Sequence, residues 1–246
     1  LVPLEPSSWE FDPEALLAAL RPNTRLVVVN FPHSPTGALS SRDAFEYLTT
    51  RLEERGVTLF SDEVYRGLEL DESRRLPAGV DVGRRALSLG VLSKTYALAG
   101  LRIGWIATHD ASLRDRIARL KDYTTICGSA PSEILGIIAL RARERVVARS
   151  RDIIGRNLTL LDGFFARHRE RFFWVRPRAA SVAFPRLCTD ATGAIERFCD
   201  DLIQKEGVLL LPGSRFEHPG NHFRIGFGRA DMPAALERLE AFVNAG

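Results

Sequence analysis

An α/β architecture is predicted for this chain: a mostly parallel large-domain sheet flanked by helices over residues 1–148, then a connector helix and a small C-terminal α+β domain over 149–246. Three observations predict it. First, RLVVVN (Arg25 to Asn30) and VTLFSDEVY (Val57 to Tyr65) are short apolar runs separated by a helical segment with short connections. Strand, helix, strand in that form is a right-handed unit whose strands are parallel neighbours. Second, a long, charged helical stretch runs from about Val146 to Arg169. Third, the pattern beyond it turns to short strands and helices over about 75 residues, the scale of a small domain.

The elements follow in order. LVPLEPSSWEFDPEALLAAL opens extended and turns helical near Asp12-Pro13, an acidic cap with proline at the first helical position. RLVVVN reads as a buried parallel strand, being β-branched and bounded by turn residues. FPHSPTGALS then breaks the chain, and Ser40 or Ser41 caps a helix with Phe45, Leu48 and Leu52 on one face. Gly56 ends it before the second strand. RALSLGVLS is the third strand-like run, and RIGWIAT follows a Gly-punctuated turn. Asp110 begins a helix with Leu113, Ile117 and Leu120 at helical spacing, and Pro131 starts another rich in isoleucine and leucine. The tail contains FFWVRP, ASVAFPRL, a helix near Ala194 to Lys205, GVLLLPG, HFRIGFG and a final helix from Met232 or Pro233.

With 45% hydrophobic and 26% charged residues among 246, the chain has material for a substantial core. The net charge of +3 is scattered among 31 acids instead of forming a block, which argues against nucleic acid as a partner. No apolar run approaches a membrane span, and no signal peptide is visible. Cys127, Cys188 and Cys199 lack metal-site or redox-pair spacing, so a reducing cytoplasm is the expected setting and no metal is expected. His218 and His222 are four apart, but Pro219 and Gly220 break the helix that would align them, so they read as loop histidines.

The stretch VLSKTYALAGLRIGW carries the chemistry. There are three lysines among 34 basic residues, and only Lys94 lies between a strand end and a Gly-rich turn. An ammonium at the end of an apolar strand is costly to desolvate, and a lysine amine with depressed pKa attacks an aldehyde. The plain alternative is a lysine that caps a loop and points to water. Arg102 stands between Gly100 and Gly104 and suits bidentate contact with phosphate oxygens. An amine for an aldehyde and a guanidinium for a phosphate suggest pyridoxal 5'-phosphate (PLP). Asp62, ending an apolar strand, would pair with the protonated pyridine nitrogen, or serve as a cap or loop carboxylate. Tyr65 reads either as a donor to the ring's phenolic oxygen or as a half-buried aromatic. Arg224, mid-strand in HFRIGFG, is expected buried against an anion, either a ligand or an internal acid such as Glu217.

The ordered set NFPHSPTG, SDEVY, SKTYALAGLRIG and HFRIGFG resembles the class I/II aminotransferases of the PLP fold-type I superfamily, over nearly the whole chain. The resemblance implies Lys94 as the Schiff-base lysine, Asp62 on the pyridine nitrogen, Tyr65 on the ring oxygen, Arg102 on the phosphate with Ser93 beside it, and Arg224 on the substrate α-carboxylate. It implies a homodimer that moves an amino group from an amino acid to a 2-oxo acid. Two positions depart from the pattern. Ser34 stands where the family usually has an Asn that touches the ring oxygen, and Val91 stands where it often has a Ser or Thr on the phosphate. Altered ring contacts accompany altered reaction choice, so a PLP-dependent lyase, cyclase or oxidase is the alternative. A non-catalytic PLP-fold sensor domain is another. The phosphate cup and stacking aromatic of the family precede the matched motifs and are not in these residues, so the chain reads as the later two-thirds of a family member and is expected to bind PLP poorly by itself.

Overall fold

The computed structural model describes residues 1–245. Helix α1 (Pro13–Ala18) is capped by Asp12, whose side chain accepts from the Glu14 N–H, and leads to strand β1 (Leu26–Asn30). Helix α2 (Arg42–Glu54) begins at Ser41, whose side chain accepts from Ala44 N–H. Strand β2 (Thr58–Asp62), the short helix α3 (Gly79–Val82), and strands β3 (Ala86–Val91) and β4 (Gly104–Thr108) follow. The sheet order is β1-β2-β3-β4, with the first three strands parallel and β4 antiparallel to β3. Gly90 faces Trp105 across β3 and β4, and a Cβ there would come within 2.4 Å of the indole, so the register requires glycine.

Alternation along β1 directs Val27 and Val29 into a core shared with Leu16 and Leu17 of α1 and with Phe45, Leu48 and Leu52 of α2. Leu26 and Val28 point the other way and are 52% and 62% exposed. The expectation of a fully buried strand is therefore corrected. An unbroken apolar run does not say which faces are covered, and helices α1 and α2 cover only one of them here. Strand β2 also stops at Asp62 and does not continue to Tyr65: the Glu63 N–H still donates to the Leu89 carbonyl, but the chain then turns, and the Asp62 carboxylate accepts from the Val64 N–H at 3.1 Å.

Helices α4 (Ala111–Thr124), α5 (Ala130–Arg141) and α6 (Arg143–Arg167) come next. The remaining chain forms the pair β5 (Phe172–Phe173) with β7 (Arg186–Leu187), a second small sheet in the order β6 (Val182–Ala183), β9 (Phe223–Gly226), β8 (Leu211–Pro212), and helices α7 (Ala194–Glu206) and α8 (Met232–Ala245). A core of α6, α7, α8 and this sheet includes Leu158, Leu161, Phe164, Leu202, Phe223 and Leu239. Tyr65 and Leu68, from the loop after β2, are built into the same core and tie the two parts of the chain together. Gly37 makes another tie. At φ +68°, its carbonyl accepts from Arg178 and Ala179 N–H, and a Cβ would lie 2.4 Å from that of Pro177.

Candidate active site

Because β1, β2 and β3 are parallel, their carboxyl ends share one edge, the side on which open α/β sheets bind ligands. Asn30 ends β1, Asp62 ends β2, and Ser93 and Lys94 follow β3. Asn30 joins the first two loops: its Nδ2 donates to the Asp62 carbonyl at 3.0 Å, and its Oδ1 accepts from Ser34 N–H at 2.7 Å. Ser34 is thereby fixed through its backbone. The motif does not single out Asn30, although an Asn at a strand end before a Pro-rich loop is the type of side chain that bonds nearby backbone.

The loop bearing Lys94 is closed at its base by Leu92 N–H to Ile103 O and Leu98 N–H to Leu92 O, both 3.0 Å. Beside the lysine, the buried Thr95 hydroxyl is 2.9 Å from the Arg66 carbonyl and 3.3 Å from that of Val64. A single side chain thus locks this loop to the one that follows Asp62. Nothing in the sequence marks Thr95 either, since one hydroxyl in a loop carries no periodic signal.

Lys94 itself is exposed, which corrects the expectation of a desolvated amine. The turn places its Nζ over the Tyr65 ring, 5.7 Å from the centroid. The one lysine ion pair among the described residues is Lys205 with Asp201. Asp62 is half-buried; burial pushes its pKa up, while the Val64 N–H and the positive charge of Lys94 pull it back. Tyr65 is 3% exposed, more buried than the half-buried ring expected, because it belongs to the core that also contains Phe223 and Ile225. The structure therefore brings Asp62, Tyr65 and Lys94 together and ties Ser34 to them.

Arg102 is exposed, takes the left-handed conformation at φ 55°, and donates to the Ala99 carbonyl at 3.1 Å. Of its flanking glycines, Gly104 is needed by strand pairing, since a Cβ there would lie 3.0 Å from the Gly90 carbonyl. Arg224 on β9 is half-buried, not fully buried as expected, because its strand buries Phe223 and Ile225 on the opposite face. Its guanidinium lies 5.1 Å from the centre of the Phe216 ring, and no ion pair with Glu217 is formed. His218 and His222 meet at 4.4 Å between ring centroids, packed with Trp9 and Phe184. Among the described residues no group of three His, Cys, Asp or Glu side chains is placed to hold a metal.

Comparison with known proteins extends over this whole arrangement. The chain is 32% identical over 229 residues to capreomycidine synthase of Streptomyces vinaceus, covering 92% of this chain and 57% of that protein. Among solved structures, a PLP-dependent aminotransferase from Streptococcus suis is 33% identical with a TM-score of 0.87, over 96% of this chain and 62% of that one. The PLP-dependent cyclase OrfR is 32% identical with a TM-score of 0.85, over 96% and 63%. The chain thus spans about six-tenths of the length of the relatives it matches. Residues 1–239 match the model of aminotransferase class I and II, and the chain belongs to that family.

Proposed function

We propose that this chain contributes the covalent and carboxylate-binding parts of a PLP-dependent aminotransferase, which moves an amino group from an amino acid to a 2-oxo acid. One observation carries the reading: an exposed primary amine and a half-buried carboxylate of raised proton affinity, the first acting electrostatically on the second, sit at the ends of adjacent parallel strands. That donor set fits the cofactor. The amine suits an aldehyde, and a carboxylate held partly out of water favours a nearby protonated ring nitrogen. When bound, PLP supplies an electrophilic carbon and a ring that withdraws electrons from the substrate's α-carbon.

Lys94 is the covalent anchor and the group that takes and returns the α-proton at Nζ. The Thr95 bridge holds its loop at a fixed distance from the Asp62 loop, so that amine and carboxylate act on one ligand. Tyr65 and Ser34 flank the ring, with Ser34 offering a hydroxyl on a backbone fixed by Asn30. Arg102 and Ser93 serve the phosphate, for which the Arg102 fork must exchange its Ala99 contact. Arg224 holds the substrate carboxylate. We also assign residues 1–148 to the large domain and 149–246 to the small one, and infer a cytoplasmic homodimer. The broadly apolar helix α5, whose Ile134, Leu135, Ile137 and Ile138 are all exposed, supports a further surface packed against it. No helix among the described residues is long and apolar enough to cross a membrane.

A second reading, a PLP-dependent cyclase, is favoured by Ser34 and by the similarity to OrfR. Incubating the full-length protein and PLP with ¹⁵N-labelled amino acids and a 2-oxo acid separates the two. Label appearing in the amino acid made from the oxo acid establishes transamination. An amino acid converted without label transfer establishes the alternative.

A further inference from the structure

Arg224 is half-buried on its strand, and its guanidinium lies over an aromatic face, the ring of Phe216. The local fold explains the placement. Leu211 of β8 pairs with Arg224 of β9, and Gly213 N–H donates to the His222 carbonyl at 2.7 Å. The chain then turns through a short 3₁₀ segment, Gly213–Phe216, which brings Phe216 back over the strand it has just paired with. A Cβ on Gly213 would lie 3.0 Å from the His222 carbonyl, so the return is tight. Phe216 is held from behind: it meets Phe184 edge-on at 5.7 Å, and Phe184 stacks on the buried His222 at 5.2 Å.

From this we propose that Phe216 is the positioning residue of Arg224, setting the guanidinium plane by cation–π contact for a bidentate grip on the substrate's α-carboxylate. The inference rests on the reading of Arg224 as the carboxylate clamp. A guanidinium has rotamer freedom to lose when it binds, and a ring that fixes its plane beforehand removes part of that cost. An acid in the same place would hold the arginine more firmly but would compete with the ligand. An aromatic face holds it without occupying the fork.

The test replaces Phe216 in the full-length, PLP-loaded protein by mono-, di- and trifluorophenylalanine, which keep the ring's shape while weakening its negative face. Binding of 2-methylalanine, which has the shared α-carboxylate and no α-hydrogen, is followed by calorimetry, and KM and kcat are measured on the preferred amino acid. The expected result is a graded loss of affinity reaching roughly 3- to 10-fold, the scale of a partly desolvated cation–π contact, with KM rising in step and kcat held. Phe216→Leu should lose as much, and Phe216→Tyr should restore it. A flat fluorination series overturns the proposal. Arg224→Ala separates the two levels: if it too leaves affinity unchanged, the carboxylate-clamp reading falls, whereas lost affinity there with a flat series removes only the role of Phe216.

Discussion

At Asp62 the requirements of folding and of the proposed chemistry oppose each other. Burial holds its pKa above the ordinary 3.8, so the folded chain binds that proton more tightly than the unfolded chain does. Its contribution therefore favours folding below the ordinary value and is lost as pH rises through the folded one. Asp62→Asn is expected to raise the thermal midpoint at pH 7 and to match the parent near pH 3, as read from unfolding curves at both pH values without cofactor. The same change should lower kcat by about 10²-fold, the scale of removing one oriented charge from a reacting centre. Lys94→Ala should lower it further, by roughly 10³-fold or more, since it deletes both the proposed anchor and the proposed proton carrier. Stability gained and activity lost at one residue is the signature of a group kept for function.

Two short segments show how loops at strand ends are made rigid. The Thr95 hydroxyl bonds the Arg66 and Val64 carbonyls, and Thr95→Val should cost about 1 kcal/mol by removing a donor to two part-buried acceptors, measurable by urea titration. Gly37 combines a positive φ with contact to Pro177, Ala179 and Val182, so Gly37→Ala should cost more than about 2 kcal/mol and lower the thermal midpoint accordingly. The element types were readable because their signals are local and repetitive. A β-branched run marks β1 and an apolar run marks β2, Ser41 and Asp110 cap α2 and α4, and a break in pattern follows α6. Lys94 and Asp62 were readable for the opposite reason, as charged residues at the ends of apolar strands. The exposure of Val28, the burial of Tyr65 and the Phe216 contact of Arg224 were not, since each depends on what another segment covers.

At the scale of the whole molecule, burial lowers the pKa of His33, bonded to Thr36 in the Ser34 loop, and of His222, in the aromatic cluster, to about 4, and lowers that of the neighbouring His218 as well. For a base, a depressed folded value means that the unfolded chain binds the proton more tightly. Stability from the His33 and His222 rings is complete above the ordinary 6.5 and is lost as pH falls toward about 4, on the order of 1–3 kcal/mol for each ring. Urea midpoints should therefore fall between pH 7 and pH 5, and by less in His222→Phe. Both histidines lie where the two parts of the chain meet, the His33 carbonyl accepting from the Gly37 N–H and His222 packed on Trp9, so acid should loosen that junction first. The proposed function depends at this scale on one covalent bond between ligand and chain. Borohydride reduction of the full-length protein after incubation with PLP, followed by peptide mapping, tests it most directly. The account predicts a single pyridoxyl tag on Lys94. A tag on Lys121 or Lys205, or none, would contradict it.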